Sequence, residues 1–108
     1  MSNDQTMSHL QKALQMEMTA AHQYQLHAHV LDDWGLDKLA DQMREEMHEE
    51  LGHSDLYIDR ILFFNGKADL AFYKQPVQAE SLVEMFKADL ADEEEAIEFY
   101  TMASQHAA

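Results

Sequence analysis

Glu50 and His53 stand three residues apart in the segment Glu49-Glu50-Leu51-Gly52-His53, inside a long helical pattern. On a helix that spacing puts carboxylate and imidazole on one face, about one turn apart, where both reach a single metal ion. Alone this ExxH carries little weight, because acidic helices produce it often by chance. Glu17 and Glu93 give it weight, since each holds a matching place in another helical segment. A carboxylate at mid-length on the apolar seam of each of three helices is the layout of a carboxylate-bridged di-iron bundle. A Glu binds one ion or bridges two, and His adds a nitrogen donor suited to iron and other borderline metals. The expected roles are Glu17 terminal on the first iron, Glu50 bridging, His53 beside Glu17, and Glu93 mainly on the second iron.

Three segments must position these groups. The first, about 4–34, carries Leu10, Leu14, Glu17, Ala21, Tyr24, Ala28 and Leu31, an alternating four-three spacing that forms a bundle seam. Gly35 supplies a C-terminal cap. The second segment, about 36–64, carries Leu36, Leu39, Met43, Met47, Glu50, Ser54, Tyr57, Ile61 and Phe64. So short a connection makes the first two helices antiparallel, and Asn65-Gly66 ends the second. From 65 to 79 no period is sustained and Pro76 intervenes. Such a stretch extends to roughly 50 Å, the length of a bundle. A crossover of that kind marks a ferritin-like arrangement more than an up-down-up-down one. The third segment, about 80–106, carries Leu82, Phe86, Leu90, Glu93, Ile97 and Tyr100, with Ser81 as N-cap.

Depth along the helices agrees with a shared site. Glu17 lies roughly 25 Å from the first turn of its helix, Glu50 roughly 21 Å, His53 roughly 25 Å and Glu93 about 20 Å. If the crossover returns the chain to the same end, all four meet at one level. Carboxylates on an apolar seam cost several kcal/mol in desolvation unless something neutralises them, and bound iron would do so. Tyr24, two turns beyond Glu17, either serves the site by hydrogen bonding or electron donation or is an ordinary core tyrosine.

Composition bounds the rest. A chain of 108 residues makes one domain, 1–108, with a modest core. The absence of Cys removes disulfides, thiolate zinc sites and Fe–S clusters, and fits a reducing compartment. The net charge of −14 disfavours nucleic acid and anionic lipid as partners and suits a cation collector, or simply a solvated acidic surface. The N-terminus, Met1-Ser2-Asn3-Asp4-Gln5, lacks a basic n-region and an apolar run, so no signal peptide is read. No apolar stretch is long enough to span a bilayer, and the expected location is cytoplasmic.

Read together, the residues resemble bacterioferritin over nearly the whole chain. The likeness lies in Met16-Glu17-Met18-Thr19-Ala20, Gln23-Tyr24, Leu26-His27-Ala28, Asp33-Trp34-Gly35-Leu36, Glu50 with His53, Tyr57-Ile58-Asp59-Arg60-Ile61-Leu62-Phe63, and Glu84-Met85 followed by Asp89-Leu90-Ala91. The resemblance implies an all-α, ferritin-like four-helix bundle with a short fifth helix, assembled as a hollow cage of 24 subunits. It implies a ferroxidase that oxidises Fe(II) with O₂ or peroxide at an intrasubunit di-iron centre and stores ferric mineral. Carried over, Glu17, Glu50, His53 and Glu93 match four ligands of that centre, and Tyr24 matches the tyrosine beside it. Glu45 and Glu49 match positions where family members bind iron on the inner surface; a plain solvated pair is the alternative.

Two departures stand out. The family's fourth helix carries a second ExxH, and this sequence stops at Ser104-Gln105-His106-Ala107-Ala108, before such a helix. A truncated chain, or one whose fourth helix comes from elsewhere, is therefore expected. The other departure is Leu51, which stands where haem-binding members have Met. Leu offers no donor atom, so haem is not expected; Met47 is read as core. The chain then resembles the catalytic subunit of mixed assemblies, in which a partner subunit binds haem. Trp34 is expected at a subunit dimer interface. His9, His22, His29, His48 and His106 show no paired ligand spacing, and most are expected at the surface. The competing functions are a non-catalytic metal-binding or assembly subunit with an incomplete half-site, and a rubrerythrin-like peroxide-reducing di-iron protein, whose usual Cys-ligated module is absent.

Overall fold

A computed structural model of the chain describes residues 2–107, with side chains described from 4 to 105. Three long helices make up its regular structure: α1 (Ser2–Asp33), α2 (Asp37–Phe63) and α3 (Leu82–Ala107). Each end lies within two residues of the boundary read from the pattern. The side chain of His106 falls outside the described residues.

Glycine and asparagine make the two helix stops. Gly35 takes φ 81°, and its N–H bonds Asp32 O while Leu36 N–H bonds Leu31 O at 2.9 Å. This double closure satisfies carbonyls that the helix end would otherwise leave open. The same pair of bonds ends α2, from Asn65 to Leu62 O and from Gly66 to Ile61 O. Here Asn65 adopts the left-handed backbone, at φ 63°. Gly66 serves by its lack of bulk: a Cβ there would come within 3.1 Å of Ile61 and closer still to Met7.

The contacts fix the directions of the helices. Asp32 pairs with Arg44 at 2.8 Å, Glu17 lies by His53, and Met7 lies by Gly66, so α1 and α2 run antiparallel along their length. Their seam buries Leu14, Leu31 and Ile61 among Ala21, Ala28 and Ala40, small residues that permit close approach. His27 meets Asp89 at 3.0 Å and Glu17 meets Tyr100 at 2.7 Å, so α3 also runs antiparallel to α1. The crossover has returned the chain to the α1–α2 turn, where Ala79 and Met85 join the core of Val30, Leu31, Ala40 and Met43.

A polar ladder on α1 holds that crossover. Gln11, Gln15, Thr19 and Gln23 follow one another at intervals of four residues, one row along the helix. Gln11 bonds Lys67 O and Asp69 N–H, and Gln15 bonds Asp69. The Thr19 hydroxyl accepts from Tyr73 N–H at 2.8 Å, and Gln23 exchanges two bonds with the Val77 backbone, at 2.8 and 2.9 Å. A segment without its own ladder thus has much of its backbone satisfied by side chains. Lys74 then ties it to α3 through Asp92 and Glu95, and those two bonds raise the lysine's pKa. Ser81 caps α3 as expected, accepting from Glu84 N–H at 3.1 Å, a contact worth about 1 kcal/mol.

The inward face of α3 differs from the expected seam. Met85 and Phe99 are buried, and Leu82, Asp89, Asp92 and Ala96 are half-buried, a stripe turned one position from the expected one. Phe86, Leu90 and Ile97, expected inside, are exposed. The helix is apolar on two faces: one, with Met85 and Phe99, packs on α1, and the other, with Phe86, Leu90 and Ile97, is exposed.

Gln23→Ala is expected to destabilise the protein by about 2 kcal/mol, because it removes both hydrogen bonds that the buried Gln23 side chain exchanges with the Val77 backbone. Gln11→Ala, at the exposed end of the ladder, should cost less than about 0.5 kcal/mol. Urea unfolding midpoints of the two variants measure the difference.

Candidate metal centre

Glu17 is the most deeply buried acidic side chain of the seam, at 7% exposure. One oxygen, Oε1, accepts the Tyr100 hydroxyl at 2.7 Å. The other, Oε2, is buried with no hydrogen-bond partner. Across the α1–α2 seam, His53 Nδ1 stands 3.5 Å from that oxygen and 3.6 Å from Glu50 Oε2. Glu17, Glu50 and His53 form a group whose donor atoms all lie within 4.8 Å of one another. Ligands about 2.1 Å from a common ion sit roughly 3.0–3.6 Å apart, so the spacing suits one cation shared by all three. The orphaned Oε2 makes the case chemically. A buried carboxylate oxygen without a donor is costly, and a cation at that point satisfies it together with the open lone pair of Nδ1.

The sequence explains how the trio comes together. The i,i+3 step between Glu50 and His53 keeps both on the α2 face toward α1, and Ser54 next to them is buried in the seam with its hydroxyl bonded back to Leu51 O. The antiparallel register then brings mid-α2 opposite mid-α1. His53 is about half exposed, on the open side of a cavity of about 600 Å³ whose walls come from α1, α2, α3 and the crossover.

The other expected site residues fall as follows. Glu93 lines the same cavity but is exposed and stands outside the three-residue group. It precedes Tyr100 by seven residues, about 10 Å along α3, and lies near enough to Tyr24 to act on it electrostatically. Of the four residues expected at one level, Glu17, Glu50 and His53 meet, while Glu93 stands apart from them on the cavity wall. Tyr24 is half-buried on that wall; burial first, then Asp89, Glu46 and Glu93, pushes its pKa up and keeps the phenol protonated. Glu45, Glu49 and His48 are exposed on α2 and His29 is exposed on α1, whereas His9 and His22 are half-buried and lie against Phe99 and Phe72. Leu51 and Met47 are half-buried, and Trp34 is exposed.

Tyr100 was legible only as a seam position. Its hydroxyl joins α3 to Glu17 and neighbours Tyr57 of α2, and burial, the Glu17 bond and Tyr57 raise its pKa. Its spacing two turns after Glu93 was the available signal. His27 and Asp89 form a second α1–α3 tie that charge patterning alone did not single out.

The Ferritin-like domain family matches residues 7–108, and the chain belongs to that family. Among its relatives, the bacterioferritin of Rhodobacter capsulatus is 40% identical over 99 residues, covering 92% of this chain and 62% of the relative. That of Brucella melitensis is 40% identical over 87 residues, covering 81% and 54%. A solved structure of the Rhodobacter capsulatus protein, described with a metal-free dinuclear site and a haem iron, superposes with a TM-score of 0.88 at 39% identity, over 93% of this chain and 62% of that one. The chain thus spans a little over half the length of these relatives.

Glu50→Ala or His53→Ala should weaken Co(II) binding by more than about 100-fold, beyond the usual cost of losing an outer-shell partner. His29→Ala, on an exposed stretch of α1, should leave binding unchanged. Anaerobic Co(II) titration followed by visible absorption checks both; similar losses at His29 and His53 would contradict the assignment.

Proposed function

We propose that the chain is a ferroxidase and iron-storage subunit whose centre is built on Glu17, Glu50 and His53. The observation that carries this reading is the buried, unpartnered Glu17 Oε2 facing Glu50 and His53. Bound iron supplies one electron per ion to O₂ or peroxide, passing from Fe(II) to Fe(III). The chain's own residues hold and orient it: Glu17 as a terminal carboxylate, Glu50 as the carboxylate able to bridge, His53 through Nδ1. Glu93, on the same cavity wall, is proposed to serve a second ion, and Tyr24 to stand beside the pair as a phenol donor. The acidic pair Glu45 and Glu49 is proposed to draw Fe(II) on the inner face of an assembly. The net charge of −14 supports attraction of cations throughout.

Assembly completes the site in this reading. The exposed apolar face of α3, with Phe86, Leu90 and Ile97, is proposed to pack against a fourth helix, from a longer chain or a second one, that brings the remaining ligands. Subunits then form an oligomeric cage, with Trp34 at a dimer contact. Haem has no role in this chain's own scheme, because Leu51 lacks a donor atom; a partner subunit would carry it.

A second reading is favoured by one observation, the absence of Glu93 from the three-donor group among the described residues. In that reading the chain is a half-site that binds one ion without rapid oxidation. Anaerobic Fe(II) titration separates the two: two ions per chain are expected for a complete centre and one for a half-site, while none overturns both. In the complete assembly, rapid Fe(II) oxidation should be lost in Glu50→Ala and in His53→Ala. The purified protein should show no stoichiometric Soret band, and a band that disappears in Met47→Ala would contradict the reading of Leu51.

A further inference from the structure

Each oxygen of Glu17 has a different environment. Oε1 is held at 2.7 Å by the Tyr100 hydroxyl, and Oε2 is buried, unpartnered and 3.5 Å from His53 Nδ1. Tyr100 is half-buried on α3, Glu17 lies on α1, and the tyrosine's other polar neighbour, Tyr57, belongs to α2. The three helices therefore converge on one carboxylate. A hydrogen bond to a carboxylate in a partly buried setting is among the stronger ones.

We propose that Tyr100 is a positioning residue: its hydroxyl holds Glu17 Oε1 away from the ion, so that Glu17 enters the centre through Oε2 alone. The inference rests on the metal-binding reading above and adds the coordination mode of one ligand. A carboxylate free on both oxygens can chelate one ion and occupy two coordination positions. Held by Tyr100, Glu17 occupies one, which leaves a position open for the oxidant or for a bridging group. The hydrogen bond also fixes the carboxylate's rotation, as outer-shell donors do for metal ligands generally.

The test uses the full chain in its own association state, with Co(II) and Zn(II) as probes in the absence of O₂. Tyr100→Phe removes the hydroxyl and keeps the ring. It should weaken Co(II) binding by about 10–100-fold. In infrared difference spectra on Zn(II) loading, the separation between asymmetric and symmetric carboxylate stretches should shrink, as Glu17 moves from one-oxygen to two-oxygen binding; Glu17→Gln identifies the band. Tyr57→Phe leaves the Tyr100–Glu17 bond in place and should keep the wild-type separation. Wild-type affinity and an unchanged spectrum in Tyr100→Phe would overturn the inference, as would equal spectral changes in Tyr57→Phe, which would point to packing alone. Failure of the wild-type chain to bind Co(II) would overturn the metal-binding reading itself, a separate result.

Discussion

A buried carboxylate organises this molecule. Glu17 sits in the α1–α2 seam at a depth where an unpaired charge costs several kcal/mol, and the fold answers it from three sides. Tyr100 donates from α3, His53 approaches from α2, and the remaining oxygen faces Glu50 and His53 with no donor of its own. Were Glu17 a structural residue, an apolar side chain of similar volume would serve the seam better. Its retention among Leu14, Ala21 and Ala28 makes sense as a ligand held ready for a cation.

The rest of the architecture delivers partners to that carboxylate. The tight turn at Gly35 sets the α1–α2 register, and the i,i+3 step puts Glu50 and His53 on the facing surface. The third helix must arrive from the opposite end of the bundle, and the ladder from Gln11 to Gln23 guides it there by bonding the crossover at four successive turns of α1. His27 and Asp89 then fasten the start of α3, and Tyr100 and Glu17 its far half. α3 is held to α1 by these polar ties together with buried Met85 and Phe99, while Phe86, Leu90 and Ile97 stay exposed. That combination suits a helix which still has a neighbour to receive.

Much of this was readable in the sequence. Long seams with four-three spacing and few breakers specify helices almost independently of context, whereas the ExxH gained weight only from Glu17 and Glu93 on the other two seams. The ferritin-like class followed from the unstructured stretch around Pro76, since only a crossover needs that reach. The inward face of α3 was harder. Phe86, Leu90 and Ile97 and the Met85–Phe99 stripe are both apolar, and periodicity cannot say which face meets α1 and which meets something else. The ladder is hidden in the sequence for the converse reason: Gln11, Gln15, Thr19 and Gln23 look like a solvated face, and only the packed crossover reveals them as backbone partners. Tyr100 was visible as a seam aromatic, but its hydroxyl contact depends on the register of α3 to within a turn.

The most direct measurement is a crystal structure of the protein loaded anaerobically with Fe(II), with anomalous diffraction recorded at the iron edge. An iron peak about 2.0–2.3 Å from Glu17 Oε2, His53 Nδ1 and a Glu50 oxygen, with Tyr100 still bonded to Glu17 Oε1, is the expected result. Iron bound only at the acidic surface, with Glu17 Oε2 left without a metal, would contradict it.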